Sequence, residues 1–112
     1  MLAFRVLLVV IFFSLSAYTL VVGSNHGWDY LALFFQDVMA MTWQGQFNSD
    51  FIGFLTLTGV WLAWRHHFSP AGLLLGVCGF FGGVLFLCGY LLVASYQAEG
   101  DINVLLLGKQ RA

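Results

Sequence analysis

Charge is what this sequence most lacks. Only 8% of its 112 residues are Asp, Glu, Lys or Arg, against about a quarter in soluble domains. The net charge of −1 supplies neither a basic field for nucleic acid nor a polybasic patch for anionic lipid heads, so no nucleic-acid partner is expected. No ionisable residue lies inside the long apolar runs. That argues against an ion or proton path through one copy, because such paths are built on intramembrane acids, histidines or basic groups. No internal repeat is visible either, which excludes an inverted-repeat transporter within this chain.

Reactive constellations are equally scarce. Cys78 and Cys88 would stand about 15 Å apart along one helix, too far for a disulfide. His66 and His67 are adjacent, so on a helix they would point about 100° apart. No other Cys, His or acid accompanies them on that side, so neither a metal nor a cofactor is expected. There is no Gly-rich phosphate loop, nucleophile elbow or HExxH pattern. His26, Asp29, Asp37 and Asp50 remain as an acid–base set that could protonate or orient a polar head or an alkene at a lipid interface. Acids on such a loop more often face water, and catalysis is not the expected role.

Apolar surface is what the chain has in excess: 61% of residues are hydrophobic and 18% aromatic. A chain this short cannot hide so much from water, so lipid is the expected solvent. The fold class is then an all-α integral membrane protein with three transmembrane helices plus one interfacial amphipathic helix. The first span is expected near 2–22, an uncleaved anchor although Val22-Gly23-Ser24 outlines a poor cleavage site. The second, near 50–67, is bracketed by Asp50 and Arg65, and the third, near 71–96, contains no charge. Gly72, Gly76, Gly79 and Gly83 fall within about 60° of one another on a helix and leave one side almost bare. Thr56, Gly59 and Ala63, with Ile52, form a facing strip in the second span. The short HHFSP turn makes the pair an antiparallel hairpin, with Pro70 in the first turn of the next helix.

Between the first two spans, Trp28, Leu31, Phe34, Phe35 and Val38 share one helical face while Asp29, Gln36 and Ala40 share the other. Residues 28–41 therefore read as a helix lying along the membrane surface. Residues 42–50 are the polar centre of the chain. Asn48 or Ser49 is expected to cap the second span, with Asp50 in its first turn against the positive end of the dipole. Trp43, Gln44 and Gln46 are left to find water, a partner or a ligand. After Gly100 the tail, 100–112, carries an apolar patch too short to cross and is expected to dock at the interface. Arg5, and Arg65 with its two histidines, mark the cytoplasmic side, whereas residues 23–50 carry three aspartates and no Lys or Arg. Three crossings would put the C-terminus outside, in spite of Lys109 and Arg111.

The segments TWQGQFNSDF and WLAWR, the glycine-rich third span and EGDINVLLLG together resemble a family of short bacterial multi-pass membrane proteins grouped as a domain of unknown function. The likeness covers roughly residues 28–109. It implies the three-span layout in a bacterial inner membrane, marks Trp43, Gln44, Gln46, Asn48 and Asp50 as one unit, and brings no activity. Two roles follow from the residues. The first is an accessory or assembly subunit of a larger membrane complex, or a homo-oligomer, docking through exposed glycine surface and the aromatic 28–47 segment. The second is a lipid or isoprenoid site between the amphipathic helix and the bundle, with Asp29, Asp37, Asp50, Gln44 and Gln46 as polar contacts. An apolar cavity of ligand size would favour the second, and a filled bundle with exposed glycines the first.

Overall fold

Helical periodicity without strand alternation is realised throughout: the computed structural model describes all 112 residues and has five α-helices and no strand. They are α1 (Leu2–His26), α2 (Tyr30–Met39), α3 (Trp43–Arg65), α4 (Pro70–Gln97) and α5 (Ile102–Leu107). The helix α1 runs past the expected break at Gly23 and stops at Gly27, whose φ of 84° suits glycine. Gly23 is buried because the indole of Trp28 folds onto it where a Cβ would stand.

By residue count and composition alone, two helices, α1 and α4, qualify as membrane spans, where three were expected. The helix α3 has the length, at 23 residues, but not the composition. It begins at Trp43, N-capped by Thr42, rather than near residue 50, so the polar residues Gln44 to Asp50 form its first two turns. Asn48 and Ser49 are therefore not caps, and Asp50 is an exposed residue inside the helix.

The expected third span is also not one straight rod. At Gly83, φ is 60° and ψ −144°, outside any helical region, and residues 70–82 and 84–97 are separate helical limbs. A straight helix would put Gly72 and Tyr90 about 27 Å apart. Yet a Cβ on Gly72 would stand 2.7 Å from the His66 Cβ, and the Tyr90 hydroxyl lies 2.5 Å from His66 Nε2. The chain therefore doubles back at Gly83.

The first limb lies antiparallel to α3, with Gly72, Gly76 and Gly79 buried. Built Cβ atoms on Gly59 and Gly76 would meet each other's carbonyl oxygens at 2.9 and 2.7 Å, so the two backbones approach as closely as small-residue interfaces allow. Ala63 packs beside Gly76, and Thr58 and Leu62 face Gly79. Thr56 is not part of this interface: it is exposed and its hydroxyl donates to Ile52 O of its own helix. Gly83 is the reversal rather than a further packing position.

The second limb packs against α1 and carries Ser95 to Arg5. The helix α5, capped by the Asp101 carboxylate, closes the same end: Leu105 packs with Ala94 and Ala98, and Met1 and Phe4 lie against them. The N-terminus, the α3–α4 turn and the tail thus share one end of the molecule, whereas the expected topology separated the tail from the other two. Only 16 of 112 residues are buried, and large apolar side chains such as Leu2, Phe13, Trp43 and Leu57 are more than half exposed.

Candidate functional site: an apolar cavity at the Gly83 reversal

Because α4 turns back partway along α3, the bundle is incomplete beyond the turn. An apolar cavity of about 650 Å³ occupies that level. Phe80 to Leu85 form its wall at the reversal, Phe51, Ile52 and Leu55 come from α3, and Leu15 comes from α1. Tyr30, Leu31, Phe34 and Phe35 of α2 supply the remaining side. Apart from Gly82 and Gly83, every one of these residues is aliphatic or aromatic. The rings of Phe34 and Phe35 meet edge to face at 5.5 Å, and those of Phe80 and Phe81 at 5.2 Å, a geometry that holds aromatic walls in place. Such a surface offers dispersion and hydrophobic contact, and the Tyr30 hydroxyl is the one polar side-chain group in it.

The polar segment singled out from the sequence positions this wall without lining it. Asn48 is buried, and its Nδ2 donates to Phe34 O at 3.1 Å while Gln44 Nε2 donates to Asn48 Oδ1 at 3.0 Å. Gly45 is bare so that the Asp37 backbone can approach it. These contacts fix α2 on α3 and aim Phe34 and Tyr30 at the cavity. Asp37 is half-buried, and Asp29, Trp43, Gln46 and Asp50 are exposed. Asp29 occupies the N-cap position of α2 without a side-chain capping bond. The expected polar contact set is therefore dispersed. The lining residues of α4 were missed, and the Gly82-Gly83 doublet in an otherwise bulky run was the signal that could have found them.

Arginines organise the opposite end, each on the C-terminal carbonyls of a different helix. Arg5 Nη2 donates to Ser95 O at 3.0 Å near the end of α4, and its guanidinium lies 3.9 Å over the Tyr96 ring. Arg65 is buried, and donates from Nε to Leu105 O (2.8 Å) and from Nη2 to Val104 O (3.2 Å), so it caps α5. Trp61 Nε1 adds a bond to Leu106 O at 3.1 Å. Arg111 donates to Trp64 O and lies 4.0 Å over the Trp64 ring. Positive charge at helix C-termini opposes the negative end of the dipole. Leu105 O and Leu106 O have no backbone N–H partner and depend on these side chains, whereas Ser95 O, Trp64 O and Val104 O also accept from the N–H groups of Gly100, His67 and Gly108. Arg65 Nη1 also donates to the Tyr90 hydroxyl at 2.7 Å, which leaves the phenolic hydrogen free for His66 Nε2. Burial, then the Arg65 charge, then that of His67 hold the His66 pKa below its ordinary value. None of these long-range bonds has a local sequence signal.

No protein-family model matches this chain, and no curated protein or solved structure matches it either.

Proposed function

We propose that this chain is a small integral membrane protein that holds the hydrocarbon chain of a lipid or isoprenoid in the cavity at the Gly83 reversal. The observation that carries the reading is the cavity itself, about 650 Å³ with an apolar and aromatic wall, within the size range of ligand pockets. The glycines that would support docking on a larger complex are turned inward: Gly72, Gly76 and Gly79 are buried against α3 and leave no bare strip outside. That weakens the accessory-subunit reading at its main support.

The membrane placement rests on exposure and on charge. Only 11% of the most apolar stretch of α1 is buried, whereas a helix serving as a soluble core would be covered. At about 37 Å, α1 is long enough to span a hydrocarbon core of about 30 Å. The helix α3 would return with Gln44 to Asp50 among the headgroups. Each limb of α4, about 20 Å long, would dip in and return as a re-entrant hairpin, with the non-helical Gly83 shielded by protein at the cavity. All four Lys and Arg residues, Arg5, Arg65, Lys109 and Arg111, then fall on one side, and Asp29, Asp37 and Asp50 on the other. The positive-inside rule assigns the arginine end, with both termini, to the cytoplasm.

The test is photocrosslinking in native-like bilayers with a phospholipid carrying a diazirine on its acyl chain, followed by peptide mapping. Labelling is expected at cavity residues such as Phe35, Phe81 and Val84. It should fall in Leu31→Trp, which fills the cavity from α2 without touching the α3–α4 contact. Uniform labelling of all outward apolar faces, unchanged by Leu31→Trp, would sink the proposal. Co-purification of a stoichiometric membrane protein seated on the cavity would return the weight to the subunit reading.

A further inference from the structure

Arg65 presents an unusual electrostatic situation. Its side chain is buried at 8% exposure, and its bonds run to two backbone carbonyls, the Tyr90 hydroxyl and the His66 ring, none of which carries negative charge. A buried cation held only by neutral groups keeps its full field, and a nearby anion is the natural complement. Beside it lies a second cavity, of about 480 Å³, between the α3–α4 turn and the tail. Its polar lining is Arg65, His66, His67, Gln97, Lys109 and Gln110, with no carboxylate. The nitrogens of Arg65 are already engaged, so it supplies field rather than contact. Lys109, His67, Gln97 and Gln110 are exposed and bring the donors that an anion's oxygens require.

We propose that this cleft at the arginine end binds a phosphate group, whether carried by a lipid headgroup or free in solution. Phosphate oxygens accept several charge-assisted hydrogen bonds at once, which matches a lysine, an imidazole and two amides lining one cleft beside a fixed positive charge. The site shares no residue with the cavity at Gly83, so it stands or falls separately from the lipid-chain reading.

The experiment uses the full chain in dodecyl maltoside micelles, which hold no phosphate, at ionic strength held constant with chloride. One arm titrates inorganic phosphate and reads the heat of binding by calorimetry. The other adds phosphatidylglycerol or a phosphate-free glycolipid to the micelles and counts retained lipid by native mass spectrometry. Saturable binding in the first arm assigns a soluble phosphate compound, and selective retention in the second assigns a headgroup. Either is expected to weaken at least about tenfold in the double variant Lys109→Gln, His67→Gln, the loss of one charge-assisted hydrogen bond or more. Both residues are exposed, and an unchanged unfolding midpoint will show that the variant is folded. No binding in either arm, or binding indifferent to the double variant, overturns the proposal.

Discussion

The two ends of this molecule solve opposite problems. At the arginine end, the N-terminus, the second limb of α4, the α3–α4 turn and α5 are joined by hydrogen bonds between residues far apart in sequence, from Arg5 to Ser95 and from Arg65 to Leu105. At the other end a single buried asparagine fixes α2 to α3, aromatic side chains are exposed, and the cavity is left open. Buried polar bonds among apolar surroundings are strong and specify one arrangement, because an alternative leaves Leu105 O and the buried Arg65 guanidinium unpaired. Apolar contacts are non-directional and tolerate an exchange of occupant. The contrast assigns rigidity to one end and accommodation to the other.

The largest break in that contrast should come from Arg65→Met. The aliphatic stem is retained, but Leu105 O loses its donor, Val104 O keeps only the Gly108 N–H, and the Tyr90 hydroxyl keeps only His66. We expect about 3 kcal/mol of destabilisation, the scale of removing one partner from a buried charge-assisted network. Hydrogen exchange in α5 should rise while α2 is little changed. If α5 stays protected, the arginine does not hold that end together.

A smaller effect is expected at Gly83, where the two ends meet. Spin labels at Leu73 and Val93, both exposed, would be separated by about 30 Å if α4 were straight, and the reversal predicts a clearly shorter distance in the wild type. Gly83→Ala places a Cβ on a backbone at φ 60°, ψ −144°, which costs about 2 kcal/mol. The distance distribution should broaden, and lipid labelling at Phe81 should decline with it. A wild-type distance near that of the straight helix would remove both the re-entrant hairpin and the cavity.

The sequence displays part of this architecture and conceals the rest. The close approach of Gly59 and Gly76 is readable because small residues three and four apart make a strip, a property of helical geometry alone. The amphipathic period of α2 is readable for the same reason. The reversal is barely readable, because apolar periodicity is unbroken on either side of Gly83 and a backbone dihedral leaves no trace in it; only the doublet with Gly82 sets the fourth glycine of the strip apart from the first three. The arginine caps are hidden in a different way. Arg65 reads locally as the positive flank of a span, and its partners, 39 and 40 residues away, become visible only when α4 has turned back and brought α5 within reach. Asn48 lies between these cases: its sequence neighbourhood suits a cap or a ligand or partner contact, whereas the fold makes it the tie between α2 and α3.

The smallest effect sharpens the comparison within the arginine end itself. In the folded protein His66 is held neutral by burial and by Arg65 and His67, so its pKa lies below the ordinary imidazole value of 6.5. Tyr90 faces it from α4 and Lys109 lies across the cleft on the tail. Unfolding releases the imidazole to its ordinary affinity for protons, so the unfolded chain binds more protons in the interval between the two values. Stability from this group is therefore fully present above about pH 6.5 and declines as pH falls toward the lowered pKa. Protonation would turn Nε2 into a donor toward a hydroxyl already bonded by Arg65. Unfolding midpoints measured from about pH 7.5 down to about pH 5.5 should fall more steeply for the wild type than for His66→Gln. The exposed neighbour offers the control: His67→Gln removes one of the charges acting on His66 and should reduce the slope without abolishing it. Equal slopes for wild type and His66→Gln would mean that the bond to Tyr90 carries no pH-dependent stability, and that the rigidity of this end rests on the arginines alone.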